Sequence, residues 1–410
     1  MLNNKRLVNF SLKIVSLFSK FILLYILTKY LSVESLGDYG LIFSFVGFAT
    51  VFLSFEIYTE YSRDIVLICK NERYGELYSL LIQFTIPILV LYCAILFLLM
   101  VIAFFFEEFS IEWILLITCL SLAEQYSLEL MRIFNSMNLQ LVASVNLLIR
   151  TSFWIYPLIF VAGSGELTLI TICIYWLIGA VLSIVFSLGY IFYYCGRRNF
   201  VVNGIFTWFF QKVKIALPLF ISAIIVRFLP FSERIALEGF VSLSTVGVYT
   251  IFSSFTNVIY TLLEALFIVF YVPKMLLLNA ELQYEKLRSI SSELLRILFV
   301  CGVFLGVTFF LSSTYVFQVI DKPELNEYGL ELGLMLINLV IILCSTAVHL
   351  YLYTLGRYTL IYKIMLFYAV QSLLLIFVLG SLYGFIGVVL ATTLSNLTLF
   401  FVRCYFSYVG

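Results

Sequence analysis

The sequence predicts an all-α, polytopic membrane protein of twelve transmembrane helices in two pseudo-symmetric six-helix bundles. Three observations carry that expectation. Of 410 residues, 63% are hydrophobic and 11% charged, with mean hydropathy +1.11, whereas an ordinary soluble domain carries about 25% charged residues. One core cannot hide that much apolar surface from water, so most of it must face lipid. Apolar runs of spanning length also recur along the whole chain, with short connections. Finally, one passage is written twice, 210 positions apart: Leu31–Phe45 reads LSVESLGDYGLIFSF and Val241–Phe255 reads VSLSTVGVYTIFSSF. Without a gap, Ser32/Ser242, Gly37/Gly247, Tyr39/Tyr249, Ser44/Ser254 and Phe45/Phe255 are identical. A fixed-offset echo between two halves of a membrane chain is the mark of a duplicated bundle.

A spanning helix needs about 20 mainly apolar residues. Residues 7–30 form the first candidate, in which Lys13 and Lys20 interrupt the apolar run, so it reads as a retained helix rather than a cleaved signal. Spans follow over 40–62, 77–106, 113–134, 141–163 and 168–194, then over 215–238 and 246–272, and lastly over 295–319, 331–354, 364–382 and 385–407. The interruption at 195–214 separates the two sets of six. It divides the chain into an N-terminal bundle over 1–194, a cytoplasmic linker over 195–214 and a C-terminal bundle over 215–410. The other long interruption, 273–294, has the composition of an amphipathic interfacial helix.

Orientation follows from Lys and Arg. With the N-terminus in the cytoplasm, seventeen of the 24 basic residues fall at inner ends and loops, among them Lys5, Arg6, Arg63, Arg132, Arg197, Arg198 and Arg403. The outer loops hold only Lys29 and Lys322, and they carry acids instead: Glu107, Glu108 and Glu112, then Asp321, Glu324, Glu327 and Glu331. Six helices per half return the second half to the orientation of the first. Parallel repeats around a central cleft are therefore expected, with both termini cytoplasmic.

Five cations remain at membrane depth: Lys13, Lys20, Arg150, Arg227 and Arg234. Each costs about 2.5–3.5 kcal/mol at a helix centre on insertion scales, so each should face protein or water. Asn9, Lys13, Ser16 and Lys20 recur at spacings of four, three and four, which places them on one helical face. Such a stripe suits a cavity wall that attracts an anion; alternatively Lys13 pairs with a glutamate or snorkels to the interface. The seventh span holds Pro218 and Pro230, which bend a helix and free carbonyls, and Arg227 and Arg234 share its face. Proline-kinked packing with a Glu233–Arg234 clamp is the structural alternative. Arg150 follows Asn146 by one turn, and its planar fork suits phosphate better than lysine does.

The acids at depth are Glu56, Glu60, Glu124, Glu129, Glu233 and Glu264. Glu129 with Arg132 and Glu60 with Arg63 stand at i,i+3 and read as pairs. Glu56, Glu124 and Glu264 have no local partner and are candidates for carrying a coupling proton or sodium ion. His349 is the one histidine and reads as a packing residue. Eight cysteines show no CxxC spacing, and most behave as small hydrophobes. One histidine excludes multi-histidine metal sites. No P-loop, GxSxG or strand-borne GxGxxG is present, so neither an enzyme nor a cofactor is expected. A net charge of +1 gives no global basic field for nucleic acid.

Gly37-Asp38-Tyr39 and Gly247-Val248-Tyr249 follow the first and seventh spans. With them stand KIALPLFISAIIVRFLPFSERIAL, the later Val272-Pro273-Lys274 and the closing YGFIGVVLATTLS over Tyr383–Ser395. In this combination the chain resembles the polysaccharide-exporter branch of the MOP superfamily, the bacterial O-antigen flippases, across essentially its whole length. The resemblance implies a MATE-like pair of six-helix bundles in the bacterial inner membrane. It implies ion-coupled alternating access that moves an undecaprenyl-pyrophosphate-linked oligosaccharide from the cytoplasmic to the periplasmic leaflet. Lys20, Arg150, Arg227 and Arg234 would meet the pyrophosphate, with Lys13 nearby, and Glu233 stands where relatives often show aspartate. Partners would be the lipid-linked oligosaccharide, membrane lipids and other polysaccharide-assembly membrane proteins. A drug antiporter of the same superfamily should instead line its cavity with acids and aromatics, and a membrane polysaccharide polymerase should carry a sizeable outer loop.

Overall fold

A computed structural model describes residues 2–106, 110–196 and 204–408. The acidic pair Glu107 and Glu108 and residues 197–203 of the expected linker, with the basic pair Arg197 and Arg198, lie outside the described residues, as do the side chains of Lys5, Arg6 and Arg63; the rest of the linker is described, and α9 begins within it at Ile205. The described chain is all helix: α1 Leu2–Tyr30, α2 Val33–Ser54, α3 Tyr58–Lys70, α4 Tyr74–Phe106, α5 Ile111–Ser136, α6 Gln140–Leu148, α7 Ile155–Gly163 and α8 Leu169–Cys195, then α9 Ile205–Phe240, α10 Leu243–Leu263, α11 Val269–Ala280, α12 Tyr284–Val319, α13 Gly329–Thr354 and α14 Tyr358–Tyr408. Wide-turn π segments at Ile149–Phe153 and Glu264–Ile268 join α6 to α7 and α10 to α11. Helices satisfy every backbone group within the segment, as hydrocarbon requires. Large apolar side chains point outward, with Phe160 81% and Leu311 77% exposed. That is costly against water and natural against lipid.

Ten of the described helices are long and apolar enough to cross a membrane, and eleven if the bent pair Ile205–Leu217 and Leu219–Phe240 forms one span. The expected twelve exceed this count because α14 holds two expected spans in one element. Straight, its 51 residues would run about 75 Å, over twice the ~30 Å hydrocarbon core. Instead it folds back at Gly384, whose φ of 60° and ψ of −130° lie where only glycine is comfortable. A Cβ placed on Gly387 would strike the carbonyl of Leu379. Tyr368 donates to Asn396 at 3.0 Å and Thr398 to Gln371 at 2.9 Å across the resulting antiparallel hairpin.

Two other expectations shift. The span predicted over 40–62 is interrupted: Phe55 and Glu56 are left-handed, with φ of 51° and 49°, between α2 and α3. Side chains of α3 anchor to α5, Tyr58 on the Arg132 carbonyl at 3.2 Å and Tyr61 on Glu129 at 2.7 Å, and α3 starts afresh against that partner. No separate interfacial helix forms over 273–294; α11 runs to Ala280, the chain turns through Leu282 at φ 58°, and α12 starts at Tyr284.

The chain packs as two units, Met1–Ile26 with Ile42–Arg227, and Leu27–Leu41 with Phe228–Gly410. The first is cored by Tyr61, Ile65, Leu77, Phe84, Ile88 and Phe134 of α3, α4 and α5. In the second, the duplicated passage acquires its physical meaning. Ser32 and Ser242 cap equivalent helices, accepting from Ser35 N at 3.1 Å and Thr245 N at 3.2 Å. A Cβ on Gly37 would overlap the carbonyl oxygen of Leu243, and a Cβ on Gly247 that of Val33. Leu243 is the counterpart of Val33 at the 210-residue offset, so the contact is reciprocal. Gly40 likewise faces its own counterpart, Thr250. The first turns of α2 and α10 cross backbone to backbone, and glycine is kept because nothing larger fits.

Candidate functional site

In the first unit, α5 carries three acids and amides into the packed interior: Glu124, Gln125 and Glu129. Opposite them the π segment after α6 inserts one extra residue per turn, a feature concentrated at functional sites. It directs Arg150 onto Glu124, Nη1 to Oε2 at 2.9 Å, while Trp154 Nε1 donates to the Arg150 carbonyl at 3.0 Å. Trp176 of α8 donates its indole N–H to the other Glu124 oxygen. Trp154 lies flat against Gly179, where a Cβ would collide with its ring, and stacks on Trp176 with centroids 6.4 Å apart.

A second centre forms around Arg132. Its Nη1 meets Glu129 at 3.0 Å and its Nη2 meets Glu56 at 3.4 Å, and its guanidinium sits over the Tyr58 ring, 5.3 Å from the centroid. Glu129 is 1% exposed, so its two oxygens are satisfied from within, by Arg132 and Tyr61. Arg227, at the end of the α9 stretch in this unit, is exposed and lies within electrostatic reach of Arg132, Arg150 and Glu56. It takes part in none of the ion pairs among the described residues.

Of the sequence-predicted residues, this unit therefore brings together Arg150, Arg227, Glu56 and Glu124. The first-helix stripe is divided: Ser16 is buried and Asn9 bonds to Ser144 of α6, whereas Lys13 and Lys20 are exposed. In the second unit Arg234 does not clamp Glu233. Its guanidinium donates to the Pro230 carbonyl at 2.9 Å and to Ser253 Oγ at 3.2 Å and packs over Tyr249, while Glu233 accepts from the Tyr249 hydroxyl. Glu264 opens the second π segment. His349 has a buried Nδ1 without a partner. Among the described residues no group of three or more His, Cys, Asp or Glu is placed to hold a metal ion.

Sequence reasoning passes over Arg132 as a binding-cluster residue, because the charge count places it at an inner helix end. Its spacing from Glu129 is the signal that could have found it. Trp176 and Tyr61 carry no such signal, since their partners lie 52 and 68 residues away. Arg403 is also unexpected: it is buried in the second unit, donating to the Ser345 carbonyl and hydroxyl at 3.3 and 2.8 Å and to Met365 sulfur at 3.3 Å.

A family model described as polysaccharide biosynthesis protein matches residues 4–276. No curated protein sequence matches the chain. Among solved structures, an inward-facing multidrug resistance MATE family transporter of the MOP superfamily aligns with a TM-score of 0.69 at 15% identity, covering 96% of this chain and 94% of that one. The lipid II flippase MurJ, inward closed, aligns at 0.66 and 17% identity, covering 99% and 87%. The Vibrio cholerae MATE transporter VcmN in its bent form aligns at 0.60 and 12% identity, covering 97% and 96%. At these identities the likeness is one of fold.

Proposed function

The chain belongs to this family of polysaccharide biosynthesis proteins, and from that premise we propose that it is a flippase. Its substrate is an undecaprenyl-pyrophosphate-linked oligosaccharide, moved from the cytoplasmic to the periplasmic leaflet of a bacterial inner membrane with both termini cytoplasmic. The observation that carries the reading is Arg227: a cation in a membrane-embedded helix, exposed, within electrostatic reach of Arg132 and Arg150 and outside every ion pair among the described residues. A charge in that position is retained at a cost unless it meets an anion during the working cycle. A phosphorylated headgroup is such an anion, and it must be shielded from hydrocarbon while its lipid tail stays outside. Lys13 and Lys20 of α1 add exposed positive charge to the same unit. Movement is driven by alternating access coupled to a proton or sodium ion held at Glu56, Glu124 or Glu264.

The MATE neighbours support an alternative, export of small drug-like molecules on the same fold. For cationic drugs the cation excess of the first unit disfavours it. The deciding experiment follows Arg227→Ala and Lys20→Ala in a strain whose surface polysaccharide depends on this protein. Both variants should reach the membrane, abolish surface polysaccharide and accumulate lipid-linked repeats on the cytoplasmic leaflet. Normal export by both removes the cationic site, and drug efflux lost in its place supports the rival. Glu124→Gln should change the pH or sodium dependence of transport in proteoliposomes; an unchanged dependence removes that carboxylate from the coupling set.

A further inference from the structure

The first unit contains a cavity, about 460 Å³ in volume, between α2, α4 and α5. That is within the size range of small-molecule sites. Phe45, Leu53, Ile95 and Ile117 form its apolar walls, and Trp113 and Ser110 stand where α5 begins. No charged side chain is among its described lining residues. It is not simply greasy, because two hydroxyls close it. Tyr92 of α4 is 3% exposed and Ser121 of α5 is 2% exposed. Both line the cavity, and neither hydroxyl oxygen has a hydrogen-bond partner.

The two hydroxyls sit near one level. Thr85 and Tyr126 hydrogen-bond at 2.9 Å and fix the antiparallel register of α4 and α5; seven residues along α4 and five back along α5 reach Tyr92 and Ser121. One turn from Ser121 on the same face of α5 stands Gln125, 1% exposed, with both amide atoms unpartnered. Buried polar groups are nearly always satisfied. Two unsatisfied hydroxyls on the lining of an apolar cavity, with the unsatisfied Gln125 amide one turn beyond it, therefore describe one half of a hydrogen-bonded contact.

We propose that this cavity is a binding site for a neutral amphiphile: a hydrocarbon body bearing one hydroxyl head, of the long-chain alcohol class. The walls take the hydrocarbon, and the absence of a lining charge excludes a carboxylate or an ammonium, whose transfer into an uncharged cavity is heavily penalised. A hydroxyl head both donates and accepts, so it can pair with the Tyr92 and Ser121 hydroxyls in either sense. A plain acyl chain would leave those groups as they are. None of its lining residues belongs to the arginine cluster, and the site does not depend on the flippase reading.

The test uses the full chain in lipid nanodiscs, photolabelled with a diazirine-bearing hexadecanol and mapped by mass spectrometry. Saturable labelling of α4 and α5 is expected, with unlabelled hexadecanol competing at least tenfold better than hexadecane or palmitate. Tyr92→Phe and Ser121→Ala should erase that preference, and Ile117→Phe, which fills the cavity, should abolish labelling. Equal competition by hexadecane would make the cavity a groove for lipid chains and overturn the proposal; equal competition by palmitate would overturn the exclusion of charge and with it the ligand class. A second readout does not need ligand. Removing an unsatisfied buried hydroxyl should leave the empty protein melting at the same or a higher temperature. A lower melting temperature for Tyr92→Phe and Ser121→Ala would mean that both hydroxyls are already bonded, and the proposal fails.

Discussion

Replacing Gly37 by alanine puts one carbon far inside contact distance of the Leu243 carbonyl oxygen, and replacing Gly247 does the same against Val33. Neither obstacle is the far end of a flexible side chain. Both are backbone, held in helices by their own hydrogen bonds, so the first turns of α2 and α10 must move apart as rigid bodies. Overpacking of this kind costs about 1–3 kcal/mol, and the reciprocal geometry gives both variants a cost of the same kind, with the tighter approach at Gly247. Helices separated for one methyl group already have room for the other, so the double variant should lose much less than the sum of the singles. None of the eight cysteines is in a disulfide, and Cys173, Cys195 and Cys344 are buried, so thermal unfolding can be followed in detergent with a thiol-reactive dye. Downward shifts in melting temperature are expected for both Gly37→Ala and Gly247→Ala, with a clearly sub-additive double. Two fully additive shifts, or one neutral variant, would refute a reciprocal crossing.

The same assay reaches three further sites. Arg150→Gln or Glu124→Gln should each destabilise by about 3–5 kcal/mol, the cost of stranding one member of a buried ion pair, while the double variant should recover most of the loss; an additive double would dissolve the pair. Tyr61→Phe removes a 2.7 Å donor from the buried Glu129 carboxylate and should cost about 1.5–3 kcal/mol, the range for hydrogen bonds to charged groups; a change under about 0.5 kcal/mol would contradict the bond. Gly384→Ala forces a side chain into a positive-φ turn at about 1–3 kcal/mol, and should lower the melting temperature without altering membrane insertion. An unchanged melting temperature would mean that the hairpin does not turn there.

The helices were legible because their cause is local. An apolar run of spanning length needs no partner to declare itself, and the reversal within α14 lies in the gap between two such runs. The echo around Gly37 and Gly247 was visible as text, but its reason was not, since a backbone crossing is a fact about two segments 210 residues apart. Charges were the hardest. Glu129 and Arg132 could be paired by eye at i,i+3, while the partner of Glu124 lies 26 residues on and that of Glu56 76 residues on. The break at Phe55 and Glu56 left no trace in composition: neither residue is a glycine or a proline, and the stop is imposed by what α3 binds on α5.

The arginines of the two units are held in two different ways. In the second unit Arg234 and Arg403 have carbonyl, hydroxyl, thioether and aromatic contacts in place of carboxylates. Both are buried, at 6% and 9% exposure, and such fixed contacts position a guanidinium within the packed helices. In the first unit three arginines face three carboxylates, but unevenly: Arg132 holds Glu56 and Glu129, Arg150 holds Glu124, and Arg227 holds none. The second carboxylate on Arg132 balances Arg227 only at a distance. An incoming phosphate would meet Arg227 without first breaking an ion pair, whereas at Arg150 it must compete with a carboxylate 2.9 Å away. The proposed export role therefore weighs most on Arg227. Arg227→Lys, which keeps the charge and loses the fork, should retain part of the transport that Arg227→Ala abolishes, whereas Arg150→Lys should act mainly through stability.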